Sequence, residues 1–96
     1  MQTFEIVLNR CYGGFDLSVE ASDFVKHDAD WYADEWTRTD PDLINCIKTL
    51  GNYAVDTAFS KLRIIEVPMD CTDWMITEYD GFERVIYVLD GKLHEI

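Results

Sequence analysis

The first candidate for chemistry is the segment 11–15, Cys-Tyr-Gly-Gly-Phe, whose thiol follows Arg10. A neighbouring positive charge lowers the pKa of a cysteine and favours the nucleophilic thiolate. A catalytic thiol also needs a base, and no spacing ties His27 or His94, the only histidines, to Cys11. The glycine pair could present backbone amides to a phosphate, although the Gly-Lys-Ser/Thr ending of a phosphate loop is missing. We therefore expect a structural turn and no enzyme, and the alternative is a small enzyme or ligand-binding domain centred on segment 11–15.

A second candidate is a metal site formed by Asp28, Asp30 and Asp34. Their spacing begins like a calcium-binding loop, in which a hard cation is bound by several carboxylate oxygens. Tyr32 stands where the next ligand should be, and the segment has no glycine at the bend. We therefore expect a solvated acidic face here, with no metal and no cofactor.

The same stretch carries a cluster of acidic and aromatic residues that could bind a partner protein. Its members are Asp28, Asp30, Trp31, Tyr32, Asp34, Glu35, Trp36, Asp40 and Asp42. Aromatic side chains supply contact area at low entropic cost, and carboxylates pair with lysine and arginine across an interface. The expected primary contact consists of Asp28, Asp30, Trp31, Asp34, Glu35 and Trp36. The alternative is that both tryptophans fill the core and the acids only keep the protein in solution.

A second acidic run lies between Arg63 and Arg84, where no basic residue intervenes. It consists of Glu66, Asp70, Asp73, Glu78, Asp80 and Glu83. Carboxylates spaced along an extended surface can imitate a phosphate backbone and so engage grooves that bind nucleic acid. Electrostatic support of the primary contact is expected from Asp70, Asp73, Glu78 and Asp80. The simpler alternative is a solvated strand face.

Composition and charge restrict the class of protein. The 96 residues predict a single domain, 1–96, and 48% hydrophobic residues suffice for a core. Nineteen acidic residues against eight lysines and arginines give a net charge of -11, which repels nucleic acid and membranes but favours basic protein surfaces. Short apolar stretches and an N-terminus without signal-peptide features predict a cytoplasmic protein. Three cysteines without CxxC spacing predict reduced thiols.

Two helices are predicted from capping signals and from the helical spacing of apolar residues. Ser18 is a candidate N-cap for a helix over about 19–26. Asp40-Pro41 favours the start of a second helix over about 41–50, which Gly51 is expected to end. Both helices are expected to pack on a sheet.

The two segments that flank the second helix are less regular. Residues 27–38 break the apolar periodicity, so we expect a loop or a helical turn. Residues 53–60 are expected to form a further helical turn or a connector that carries Tyr53, Val55 and Phe59 inward.

Alternating and β-branched residues predict four strands. These cover about 3–9, 62–67, 74–79 and 83–88, and Asp80-Gly81 and Asp90-Gly91 favour hairpin turns. A helix over 82–89 is the alternative to the fourth strand, and its β-branched residues make it less favourable. The sequence thus predicts an α+β fold, with a small antiparallel or mixed sheet of about four strands and two helices packed on one face.

Several short motifs resemble a family of small, largely uncharacterised proteins carried by bacteriophages and prophages. The opening block is Asn9-Arg10-Cys11-Tyr12-Gly13-Gly14-Phe15-Asp16-Leu17-Ser18, followed by blocks at 40–43, 50–51, 65–68 and 78–81. The resemblance implies a phage-encoded protein acting in a bacterial host cell, and it carries no catalytic residues with it. The sequence departs from the family pattern in the tryptophan- and aspartate-rich residues 27–38.

Charge and resemblance together favour one function over two alternatives. The favoured function is a phage-encoded inhibitor that, as anti-CRISPR proteins do, occupies a basic, nucleic-acid-binding surface of a bacterial defence complex. One alternative is the enzyme or ligand-binding domain at segment 11–15. The other is a structural or assembly protein that self-associates through a sheet edge or the tryptophan patch.

Overall fold

The computed structural model describes residues 2–96 and confirms the predicted α+β class. Its α-helices are α1 (Val19–Val25) and α2 (Pro41–Val55), and two 3-10 helices, Ala29–Ala33 and Glu35–Thr39, lie between them. Its strands are β1 (Thr3–Asn9), β2 (Leu62–Pro68), β3 (Asp73–Tyr79), β4 (Phe82–Leu89) and β5 (Lys92–Glu95). Within the described residues the strands form two antiparallel sheets, of order β1-β2 and β3-β4-β5. About four strands in one sheet were expected, and the C-terminal residues add the fifth.

Side-chain caps explain where the helices begin. The Ser18 hydroxyl accepts a hydrogen bond from the Ala21 N–H at 3.1 Å, as its N-cap position predicts. The Asp40 carboxylate accepts from the Asp42 N–H at 3.2 Å at the start of α2. Pro41 occupies the first turn of α2, where its missing N–H costs nothing.

Helix α2 is interrupted where its end was predicted. Gly51 has a non-helical backbone, with φ of 78° and ψ of 169°, as its expected role as a stop requires, and a further helical turn, one of the two alternatives for residues 53–60, follows to Val55. Val55 is fully buried, as expected. The expectation that Tyr53 and Phe59 point inward is wrong, because both are exposed: the extra turn buries Val55 and leaves Tyr53 in solvent, and Phe59 lies in the loop that follows.

The β1-β2 ribbon is the middle layer of the molecule. Val7 and Leu62 pack with the buried residues of α1 and α2. Ile6 and Leu8, on the other face of β1, pack with Val67 of β2 and with Val85 of β4. Alternate side chains of one strand thus belong to two separate cores. Burial on both faces explains the continuous apolar runs Ile6-Val7-Leu8 in β1 and Ile64-Ile65 in β2.

The C-terminal meander consists of β3, β4 and β5, and its turns are the predicted ones. Asp80 and Gly81 have φ of 50° and 87°, and Asp90 and Gly91 have φ of 53° and 74°. Two successive positive φ values match the twist of a tight hairpin and explain the Asp-Gly pairs. The strand assignment for β4 is confirmed over its helical alternative.

Among residues 2–96, neither α-helix has the length and apolar character that crossing a bilayer requires.

Candidate protein-binding surface

The two 3-10 helices that hold the predicted primary contact are fixed by local hydrogen bonds. The Asp28 carboxylate accepts from the Trp31 N–H at 3.2 Å and caps the first of them. In the second, the Thr37 hydroxyl donates to the Asp34 carbonyl at 2.6 Å. Tyr32 is fully buried, so it belongs to the core and not to the surface cluster in which the sequence placed it. Residues 28–36 therefore form a defined surface.

A buried ion pair fixes this surface to the rest of the protein. Arg38 is 4% exposed and Glu83, on β4, is 7% exposed, and the Arg38 Nη2 donates to the Glu83 Oε2 at 2.7 Å. The Arg38 Nε also donates to the Tyr32 carbonyl at 2.7 Å, and its Nη1 donates to the Val7 carbonyl at 3.2 Å. The Arg38 guanidinium lies 4.0 Å from the centre of the Phe15 ring. The 3-10 helices are thereby joined to β1 and β4.

Glu83 completes the same network from the other side. Its Oε1 accepts a hydrogen bond from the Asn9 N–H at 2.7 Å. The prediction that Glu83 belongs to a solvated acidic run is therefore corrected: the carboxylate is buried because Arg38 and the backbone of β1 satisfy its oxygens. No buried side-chain nitrogen or oxygen lacks a hydrogen-bond partner within residues 2–96.

Two neighbouring tryptophans are exposed on this surface. Trp36 is 65% exposed and Trp31 is 38% exposed, and their rings meet edge to face with centroids 5.9 Å apart. His27 stacks on Trp31 at 4.1 Å. Of the two readings of the tryptophans, surface and core, the structure places both at the surface. Neighbouring exposed tryptophans are typical of protein-contact sites.

The carboxylates next to these tryptophans in the sequence have no ion-pair partner among residues 2–96. The four ion pairs among residues 2–96 are Arg38–Glu83, Lys48–Glu5, Arg63–Asp56 and Arg84–Glu95. They engage four of the eight lysines and arginines and none of the acids at 28–35. Asp28, Asp30, Asp34 and Glu35 are all exposed. Their negative charges therefore add up around the tryptophans.

Glu35 connects the two predicted acidic groups. Its Oε1 accepts from the Ile76 N–H at 3.1 Å. Because β3 is an edge strand of its sheet, that amide has no strand partner there, and Glu35 occupies the position a neighbouring strand would take. Part of the role of Glu35 is thus structural.

The four supporting residues predicted in the second acidic run are exposed, and they have different local roles. Asp73 accepts from the Trp74 N–H at 2.9 Å, and Glu78 accepts from the Gly81 N–H at 2.7 Å. Asp80 occupies the hairpin turn, and Asp70 lies in the loop between β2 and β3. All four predicted supporting residues lie in or next to β3, so the second group follows one edge of the three-stranded sheet.

Burial changes the acidity of two residues beneath the surface. Burial, together with the hydrogen bond that its hydroxyl donates to Asp40 at 3.0 Å, raises the pKa of Tyr32 far above its usual value. Burial also raises the pKa of the Cys46 thiol. Asp40 both accepts this bond and caps α2, so it is a structural member of the predicted cluster.

The turn at residues 11–15 has the geometry of a close packing contact. The Gly13 N–H donates to the Asp80 carbonyl at 2.7 Å. A Cβ on Gly13 would collide with the Phe59 carbonyl oxygen, and a Cβ on Gly81 would overlap the Gly14 nitrogen. Gly81 is therefore required where the hairpin touches the turn, and Gly13 is required where the turn touches Phe59.

The candidate thiol and metal chemistries find no support in the side-chain positions. His27 stacks on Trp31 and His94 stacks on Tyr87, so neither ring pairs with the half-buried Cys11. Within residues 2–96 no three histidines, cysteines or acidic residues come together in a way that could hold a metal ion.

Sequence reasoning missed the Arg38–Glu83 pair, whose members are 45 positions apart. One signal was present: Arg38 is the single basic residue between His27 and Lys48, in a stretch otherwise rich in acids. Such a residue indicates an internal ion pair, but its partner could have been any of the 19 acids.

Comparisons of the chain with protein-family models, with curated proteins and with solved structures found no significant match. The resemblance to phage-encoded proteins therefore stays a prediction from short motifs.

Proposed function

We propose that this protein is a phage-encoded inhibitor that binds a basic, nucleic-acid-binding surface of a bacterial defence complex, in the manner of anti-CRISPR proteins. The observation that carries the proposal is the exposed pair Trp31 and Trp36 among unpaired carboxylates. Tryptophans are the residues most often found at the energetic centres of protein interfaces. A surrounding ring of carboxylates selects a partner rich in lysine and arginine.

Rigidity supports the same function. The 3-10 helices that carry this surface are held by the buried Arg38–Glu83 pair and by hydrogen bonds at both ends. A surface that is already ordered loses little conformational entropy when it binds. We therefore expect residues 28–36 to keep their conformation in the complex.

Charge supports the choice of a nucleic-acid-binding partner. Net charge of -11 attracts grooves that evolved to bind phosphate, and the carboxylates along β3 extend the negative surface beyond the tryptophans. In this proposal Trp31, Trp36, Asp30 and Asp34 make the primary contact. The other two residues expected there, Asp28 and Glu35, also hold the surface in place, through the cap on Trp31 and the bond to β3. Asp70, Asp73, Glu78 and Asp80 add long-range attraction.

The proposal is tested by capture from a bacterial lysate followed by competition with nucleic acid. The wild-type chain should retain a nucleic-acid-binding protein, release it progressively as salt rises, and displace oligonucleotides from it. Retention of an acidic or neutral protein regardless of salt, or a captured protein that still binds its oligonucleotide fully, would contradict the proposal.

A further inference from the structure

A cleft of about 310 Å³ lies where the β1–α1 connection meets the β3–β4 hairpin. Three aromatic and three charged residues line it: Tyr12, Tyr79, Phe82, Glu78, Arg84 and Glu95. Tyr12 and Tyr79 are 63% and 75% exposed, which is high for large aromatic side chains. Its volume lies at the lower end of the range of about 300–1,000 Å³ found for ligand sites.

The Phe82 ring at the cleft already contacts two guanidinium groups of its own chain. The Arg84 guanidinium lies 5.7 Å from the centre of the Phe82 ring and pairs with Glu95 at 2.9 Å. The Arg10 guanidinium lies 5.4 Å from the same ring. Aromatic faces beside carboxylates are the chemistry that holds such cations.

Glu78 and the tyrosines provide the groups for one more cation. Glu95 neutralises Arg84, whereas Glu78 is in none of the ion pairs among residues 2–96. Its Oε2 accepts from the Gly81 N–H at 2.7 Å, which holds the carboxylate in place at the cleft. Tyr12 packs on Phe82 with centroids 5.3 Å apart and still exposes most of its ring.

The net charge of the molecule favours a cation over an anion as the ligand of this cleft. The lining carries two carboxylates and one guanidinium, Arg10 adds a second guanidinium beside Phe82, and the chain as a whole carries -11. An anion would have to approach against this field, whereas a cation is drawn by it. A planar guanidinium can stack on a tyrosine and bind Glu78 at the same time, which an ammonium does less well.

We propose that this cleft binds an arginine side chain of the partner protein, between the tyrosine rings and the Glu78 carboxylate. This inference rests on the proposed function, because it assumes a basic protein as partner. It adds a second contact of defined chemistry, at the hairpin end of the sheet, to the tryptophan surface.

The test uses N-acetylarginine amide as the probe and NMR resonances of the wild-type chain as the signal. N-acetylcitrulline amide, which is isosteric and uncharged, is the matched control probe. The arginine probe should shift the resonances of Tyr12 and Tyr79 saturably in the millimolar range. The citrulline probe should bind at least about tenfold more weakly. Glu78→Gln keeps an acceptor for the Gly81 N–H, so the fold should not change. Because it removes the negative charge, it should weaken arginine binding. Tyr79→Ala should weaken it as well.

Each other outcome overturns the inference. Equal binding of both probes would show that charge is irrelevant, and shifts confined to residues 28–36 would place arginine at the tryptophans. Saturable binding of benzoate at the cleft instead of the arginine probe would assign it to an anion. Because no partner protein is present, failure here leaves the lysate capture unaffected, and failure of that capture leaves this result standing.

Discussion

Among single residues, Arg38 and Glu83 matter most for the tryptophan surface, because their ion pair holds the 3-10 helices against β1 and β4. The pair satisfies backbone groups of Val7, Asn9 and Tyr32 that would otherwise be buried without partners. A buried ion pair stabilises the folded state little more than well-packed apolar side chains would. Removal of one partner, however, leaves the other charge buried without a counter-charge. Loss of one partner should therefore cost more free energy of unfolding than the net stabilisation by the intact pair suggests.

Glu83→Gln should lower the free energy of unfolding by about 3–5 kcal/mol, because Arg38 then lacks its counter-charge in a buried site. Urea denaturation measures the change. Glu95→Gln is the control, since Arg84 and Glu95 are 54% and 49% exposed and their loss should cost less than about 1 kcal/mol. Equal losses in the two variants would refute a special role for the buried pair.

Tyr32 should make stability fall at alkaline pH. Its pKa is raised in the folded protein, so the unfolded chain loses the phenolic proton at about pH 10 while the folded chain keeps it. The stabilisation is complete below that pH and decreases as the pH rises above it. Tyr32→Phe should lose about 1 kcal/mol near neutral pH, through the hydrogen bond to Asp40, and show a shallower alkaline decline.

The fully exposed Tyr53 provides the comparison for Tyr32. Thermal unfolding from neutral to alkaline pH should give the same curve for Tyr53→Phe as for the wild type. If Tyr32→Phe declines as steeply as the wild type, the alkaline loss has another origin.

At the scale of elements, two similar hairpin turns have different surroundings. Gly81 and Gly91 both follow an aspartate and both have positive φ. A Cβ on Gly81 would overlap the backbone of Gly14, whereas a Cβ on Gly91 meets nothing within 4 Å. The first turn is thus a packing contact and the second is a free loop.

Gly91→Ala should cost about 1 kcal/mol, the strain of a positive φ, and Gly81→Ala should cost at least about 1–3 kcal/mol more through the collision. Calorimetric unfolding of both variants separates the two effects. Similar melting temperatures would mean that segment 11–15 moves away from the hairpin without loss, and its glycine pair would then need another explanation.

Local patterns predicted most elements because their causes are local. The caps at Ser18 and Asp40 and the two Asp-Gly turns depend on neighbouring residues and lie where the sequence indicated. The helical turn after Gly51 is one of two alternatives that the sequence allows for its segment, and the burial of Val55 against distant parts of the chain accompanies the one observed.

The candidate site was predicted less completely than the fold, for a related reason. Its acids and tryptophans could be named by residue type, but residue type leaves open whether the tryptophans lie at the surface or in the core. The burial of Tyr32 and the pairing of Arg38 with Glu83 depend on contacts between distant parts of the chain. The division of the strands into two sheets arises in the same way, since the β1-β2 ribbon packs against both other layers.

For the whole molecule, charge distribution matters more than net charge. The second sheet has acids along its β3 edge, the tryptophan surface has unpaired acids around aromatic rings, and half of the basic residues are engaged in ion pairs. Any variant with fewer acids binds a basic partner somewhat more weakly through the long-range field. A direct test must therefore compare two variants with the same net charge.

The most direct measurement compares the affinity of two matched triple variants for the nucleic-acid-binding protein that the wild type captures. One carries Asp30→Lys, Asp34→Lys and Trp36→Ala, and the other carries Val19→Ala, Glu20→Lys and Asp23→Lys on α1, all at exposed positions. Each pair of reversals changes the net charge equally, and Glu35 is left intact because it bonds to β3. We predict that the first variant loses at least about 100-fold in affinity and no longer displaces oligonucleotides, while the second loses less than about tenfold. Equal losses, or a larger loss in the α1 variant, would contradict the assignment of the tryptophan surface as the binding site.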